Sequence, residues 1–212
     1  EGVLLPPALR DTLMANPRVR VAHFSPDAGT VDLLVNGEVS SMTGLVFPTV
    51  SDWSNVSAGS YDFGVAPTGG ASVLDATVDL ALGDHVTVAV TGSADSLAAT
   101  ALYEDYSPLG EDEARLGVFN GVEGSTSYNV VVSGDTVVIE LGYPGTLGGN
   151  DGYYAVDLAA GTYDLEFVVT GNPSSVVLDA GEITLEAGTN TLVAVVGTTD
   201  APSQVTTVSP VA

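Results

Sequence analysis

The chain repeats itself, and five strand-length blocks recurring in the same order constrain it to two copies of one module. Arg20-Val-Ala-His-Phe24 matches Arg115-Leu-Gly-Val-Phe119, Val35-Asn-Gly-Glu38 matches Val132-Ser-Gly-Asp135, and Ala58-Gly-Ser-Tyr-Asp62 matches Ala160-Gly-Thr-Tyr-Asp164. Val73-Leu-Asp-Ala76 then matches Val177-Leu-Asp-Ala180, and Val88-Ala-Val90 with Gly92 matches Val193-Ala-Val195 with Gly197. Each copy has the length of a small β-sandwich.

Within each copy the apolar period is two. Tyr61, Phe63 and Val65 alternate with Asp62 and Gly64, and Tyr163, Leu165 and Phe167 alternate with Asp164 and Glu166. Such segments are strands with one dry and one acidic, wet face. Asn36-Gly37 and Ser133-Gly134 stand between alternating runs, where a two-residue hairpin turn needs positive φ. In the second copy Ile183 and Leu185 fall out of phase with Leu178 and Ala180, and a β-bulge at Gly181 restores the alternation. These signals predict an all-β fold of two tandem antiparallel β-sandwiches. Strands are expected near 18–24, 31–36, 43–49, 60–66, 72–80, 85–91 and 97–104 in the first copy. The second should have them near 114–119, 127–133, 136–141, 153–158, 162–169, 176–186, 190–197 and 203–209. The organisation read from this is an arm over 1–17, a sandwich over 18–106, an acidic linker over 107–113 and a second sandwich over 114–212.

Charge narrows the chemistry. The chain has 27 acidic residues against four cations, a formal net charge of −23. All four cations are arginines, Arg10, Arg18, Arg20 and Arg115, and lysine is absent. Nucleic acid and anionic membrane are poor partners for such a surface, and no apolar run is long enough for membrane insertion. Without Lys there is no phosphate-loop lysine or Schiff base, and without Cys no thiol nucleophile, disulfide or zinc-thiolate site. Gly-x-Ser-x-Gly is also absent, so a non-enzymatic protein is expected. Two backgrounds suit the charge, a salt-adapted protein whose self-repulsion is screened by molar salt and an ordinary acidic exported one. The start at Glu1, with no basic-then-apolar leader, reads as an already processed chain.

The residues Arg20-Val-Ala-His-Phe-Ser-Pro-Asp-Ala28, Val31-Asp32, Val35-Asn-Gly37, Ala58-Gly-Ser-Tyr61 and the Leu74-Asp75, Leu82-Gly83, Val88-Ala-Val90 series resemble the DUF4397 family. The second copy departs at its opening, where Asn120-Gly-Val-Glu-Gly124 replaces the Ser25-Pro-Asp-Ala28 loop. The resemblance implies immunoglobulin-like repeats, often tandem, in exported bacterial and archaeal proteins, and an extracellular or cell-surface location. It brings no catalytic residues with it.

Candidate sites are few. His23, whose counterpart is Val118, and His85, whose counterpart is Asn190, read as packed histidines. Glu104, Asp105, Glu111, Asp112 and Glu113 concentrate between the copies and are either a solvated linker or weak Ca²⁺ ligands stiffening a hinge; no cofactor is otherwise called for. Trp53 and Tyr153-Tyr154 fall at one place in the two copies, as core or as a platform for carbohydrate or a protein ligand. Asn55 opens a glycosylation sequon, Asn55-Val56-Ser57. Residues 1–17 belong to neither copy. Their apolar members Val3, Leu4, Leu5, Leu9 and Leu13 are candidate subunit contacts, either pairing with an edge strand of a neighbouring subunit or folding back on their own chain. A homo-oligomer or polymer, a filament or surface layer, follows from the first alternative; an adhesin-like module follows if the sandwich loops bind a ligand.

Overall fold

The computed structural model describes residues 15–146 and 151–211. The first copy contains β1 (Arg18–His23), β2 (Val31–Val35), β3 (Glu38–Val39), β4 (Thr49–Val50), β5 (Ser54–Asn55), β6 (Gly59–Pro67), β7 (Leu74–Leu80), β8 (His85–Thr91) and β9 (Ala98–Glu104). The second contains β10 (Glu113–Val122), β11 (Tyr128–Val132), β12 (Asp135–Leu141), β13 (Tyr153–Ala159), β14 (Gly161–Val169), β15 (Asn172–Leu185), β16 (Thr189–Thr198) and β17 (Ala201–Pro210). The expected turn residues do their work. Asn36 and Gly37 have φ of 51° and 81°, and Ser133 and Gly134 have 48° and 90°, the paired positive φ of a type I′ hairpin. The bulge is also where the alternation requires it. Leu165 faces Gly181 but Glu166 faces Asp179, which leaves Ala180 without a partner across the ladder.

Each copy is two sheets. Sheet 1 runs β4-β1-β8-β9 with β5 also on β1, and sheet 2 runs β3-β2-β6-β7. Sheet 3 is β13-β10-β16-β17 and sheet 4 is β12-β11-β14-β15. Sheets 1 and 2 enclose a core that includes Val21, Leu33, Phe63, Val78 and Val88. Sheets 3 and 4 enclose the equivalent one, including Leu116, Val130, Leu165, Phe167 and Val195.

Three expectations are corrected. The sheets are not wholly antiparallel, because β1 pairs parallel with β8 and β10 parallel with β16. The strand expected at 43–49 is only an isolated bridge from Leu45 to Val31 and the short β4 after the cis Phe47–Pro48 bond. Nor do the central strands have a wet face. All seven residues of β8 are buried, as are nine of the ten in β10, because the outward faces of sheets 1 and 3 meet. Ala22, Phe24, Ala89 and Leu102 of the first copy form a third core with Phe119, Leu192, Ala194 and Val196 of the second. The molecule is therefore four stacked layers in the order sheet 2, sheet 1, sheet 3, sheet 4, with the Phe24 and Phe119 rings stacked 5.7 Å apart at the middle.

Both sandwiches point the same way. The starts of β1, β8, β10 and β16 share one pole with the connection 105–112, and their ends share the other, where Asp27, Ser93, Glu123 and Thr198 line one small cleft. The copies are not in identical register. Arg20 stands opposite Thr87, but its repeat partner Arg115 stands opposite Asn190 rather than Leu192, the repeat partner of Thr87. A slide of two residues keeps every side chain on its original face and carries Arg115 toward the connection.

Candidate functional site

The polar chemistry of the protein concentrates between the layers at the pole where the central strands begin. Arg20, 3% exposed, projects from β1 into the contact between sheets 1 and 3. Its Nη2 donates to Glu104 Oε1 at 2.7 Å, Nε to Thr87 Oγ1 at 2.7 Å, and Nη1 to Thr207 Oγ1 of the other copy at 3.0 Å. The guanidinium carbon also lies 4.3 Å from the centre of the Trp53 ring. Glu104 accepts a second bond from the Thr87 hydroxyl, and Asn190 Nδ2 lies within 3.5 Å of its other oxygen. Both charges are thus almost dry and fully engaged, which is what a buried pair needs to persist.

Aromatic rings close this clamp on the solvent side. His85 stacks on Tyr106 at 4.0 Å, Trp53 meets both edge-on, and the indole Nε1 donates to Ser209 Oγ on β17 at 3.1 Å. Burial, with the Glu104 charge nearby, pushes the Tyr106 hydroxyl up to about 12. On the opposite strand edge Arg115 makes a bidentate pair with Asp157, at 2.7 and 2.9 Å, and donates to the backbone oxygen of Asp105 at 2.8 Å. Burial works against the Arg115 charge, but the Asp157 and Asp105 carboxylates outweigh it and hold its pKa above the usual value. Farther along, Tyr143 of the second copy donates to Thr91 of the first at 3.0 Å and Ser96 donates to Glu123 at 3.1 Å.

The structure disperses the acidic junction. Glu104 is committed to Arg20, and Asp105 to Arg115 and the Ser107 backbone N–H. Glu113 accepts from the Gly110 N–H, Asp112 accepts from Ala160 N through its backbone oxygen, and Glu111 is exposed. Among the described residues no three His, Asp or Glu side chains gather as metal ligands would. Asn55 is exposed on β5 at the sheet edge, open to modification. Val3, Leu4, Leu5, Leu9 and Leu13 lie outside the described residues. Trp53 and Tyr153-Tyr154 are not equivalents, since Tyr154 faces Val118 while Thr49 faces His23, the repeat partner of Val118. Tyr153 packs into the third core, where burial raises its pKa, and Tyr154 is exposed. The clamp itself was hidden in the sequence, because Arg20, Glu104, Trp53 and Thr207 come from four distant segments. The one local sign was an arginine inside an apolar strand block of each copy.

Both histidines are structural. His23 is fully buried with Nε2 2.8 Å from Gly29 O, and His85 Nδ1 lies 3.1 Å from Gly83 O. Burial lowers both pKa values from 6.5. The unfolded chain thus binds protons that the folded one refuses, and the histidine contribution, complete above the unfolded value, is lost as pH falls through the folded one. At constant salt the melting temperature is expected to drop below about pH 6.5, before carboxylates near 4 titrate. His23→Asn combined with His85→Asn should flatten that slope; an unchanged slope would show that other groups are responsible.

Residues 17–121, the first sandwich together with nearly all of β10, match the family described as DUF4397, a domain of unknown function. Over that span the chain belongs to the DUF4397 family. No curated protein matches it. Among solved structures it is loosely similar to a proposed cell-adhesion protein of Bacteroides fragilis, with 13% identity, 91% of this chain and 97% of the other covered, and a TM-score of 0.26. A minor pilin of Streptococcus agalactiae is similar at 15% identity, with 91% and 98% covered and a TM-score of 0.24. The DUF4397 match stops at Gly121, and the second sandwich joins the first through the repeated blocks and the shared sheet plan.

Proposed function

We propose that this DUF4397 protein is a non-enzymatic structural and interaction protein of the cell exterior, adapted to high salt and able to self-associate. The observation that carries this reading is the clamp. A central apolar layer and a buried Arg20–Glu104 pair turn the tandem sandwiches into one stiff body, suited to a spacer or building block. Two of its four cations, Arg20 and Arg115, are sequestered in that layer, which leaves Arg18 the exposed cation among the described residues. The outer surface is therefore carboxylate-rich nearly everywhere, and molar salt with a Debye length of roughly 3 Å is the condition that silences its self-repulsion. No helix among the described residues is long and apolar enough to cross a membrane.

Two measurements test the reading. On dialysis from molar to low salt the melting temperature is expected to fall steadily; constant circular dichroism and melting temperature across the series would contradict the salt adaptation. In light scattering and negative-stain images at high salt, the native protein is expected as open polymers or layers. Dispersed single particles at all concentrations would favour an adhesin-like module acting through its loops.

A further inference from the structure

We infer that the open seam of the second sandwich, between β15 and β17, is the acceptor for the apolar N-terminal segment of another copy of this chain. This rests on the self-assembly reading above and names its contact. β15 and β17 are the outer strands of sheets 4 and 3, each bonded on one side only, so each offers a row of unpaired backbone groups to an added strand. Between them, at the pole where the central strands end, lies a cleft of about 470 Å³ whose walls include Tyr128, Val169, Val176, Val177 and Pro202. Val176 is 47% exposed beside it and Val208, farther along β17, is 54% exposed.

The two seams differ at the pole where the central strands begin. The matched blocks set His85 against Asn190, so Tyr103, opposite Val86, corresponds to Val208, opposite Thr191. Tyr103 reaches across its seam and donates its hydroxyl to the Asp79 backbone oxygen on β7 at 3.0 Å. Valine has neither the length nor the donor to do this. The first seam is latched at that pole and the second is not, which leaves Val208 facing water there; at the other pole Val73 is exposed beside the first seam and Val176 beside the second.

The segment 2–9, Gly-Val-Leu-Leu-Pro-Pro-Ala-Leu, suits that seam. It is uncharged in a chain of net charge −23 and has three consecutive aliphatics, Val3, Leu4 and Leu5. Geometry selects a neighbour's seam over its own. Gly83 N donates to Ala15 O at 2.8 Å, which anchors the segment's exit at the pole opposite the cleft and on the first sandwich. From Ala15 back to Leu5 a fully extended chain spans at most about 36 Å, while the ten-residue β16 alone is about 33 Å long. Travelling that length and also crossing from the first sandwich to the seam of the second exceeds the reach. A second copy stacked end to end presents its cleft directly, and this heterologous contact repeats without closing.

The chain has no cysteine, so paired cysteines report the contact without background. Leu5→Cys with Val176→Cys, treated with a short bis-maleimide at molar salt, is expected to give a ladder of covalent multimers in denaturing electrophoresis. Leu5→Cys with Val73→Cys, an exposed position beside the latched seam, is expected to give none. If light scattering shows polymers but the ladder is missing with Val176→Cys or appears equally with Val73→Cys, the seam assignment is overturned while self-assembly stands. If no polymer forms, both fall. A cross-link confined to single chains would place the segment in its own body and overturn the proposal.

Discussion

Arg20→Met is expected to cost about 3–5 kcal/mol of unfolding free energy, because it strands the Glu104 carboxylate in a dry site with its charge uncompensated. Glu104 then has only the Thr87 hydroxyl and the distant Asn190 amide for company, too little to replace a guanidinium. Arg20→Met combined with Glu104→Leu is expected to regain most of that loss, since a buried pair exchanged for apolar groups of similar volume is often near neutral. Denaturant titration at fixed high salt measures both. A single variant within about 1 kcal/mol of the parent, the range of exposed ion pairs, would mean that the clamp is solvated.

Phe24→Ala and Phe119→Ala are each expected to lose about 3–5 kcal/mol, the usual consequence of emptying a fully buried aromatic site. Neither ring belongs to the core of its own sandwich; both sit in the layer between sandwiches. The loss therefore reports on the joint between copies. Because the two rings touch, the double variant is expected to lose less than the sum of the singles. The parent should unfold in one cooperative step, with every probe coincident. Two separable transitions in the parent, with Phe24→Ala shifting only one, would mean that the sandwiches behave as independent beads.

Most of the layered fold is legible in the sequence, for a reason visible in particular residues. Asp62, Asp164 and Glu166 mark the wet faces of sheets 2 and 4, and Asn36-Gly37 and Ser133-Gly134 can turn the chain in only one fashion. The out-of-phase Ile183 and Leu185 locate the bulge from arithmetic alone. The third core was not legible, because Val-Ala-Val in β8 and Leu-Val-Ala-Val-Val in β16 read equally as strands with a dry inner face and an indifferent outer one. Period two cannot tell small apolar residues facing solvent from the same residues facing a second sheet. Parallel pairing escaped for a related reason, since β1 and β10 carry nothing that distinguishes a parallel neighbour from an antiparallel one. The acidic junction misled in the other direction. Composition groups Glu104 with Asp105 and Glu111, and only the chain path from a buried strand end to an exposed turn separates the charge inside from the charges outside.

The parallel pairs also govern the time in which this molecule is made. β1 cannot find its neighbour β8 until some 67 residues of chain lie between Arg18 and His85, and β10 waits 75 for β16. Closing such large loops before their contacts reward them places sandwiches of this kind at the slow, millisecond-to-second end of two-state folding. Until then the sides of β1 and β8 that later meet the second copy are uncovered and able to join the wrong molecule. In dilute buffer the repulsion among chains with 27 acidic residues and four arginines holds such half-made molecules apart, and added salt, which screens it, is expected to favour their wrong association.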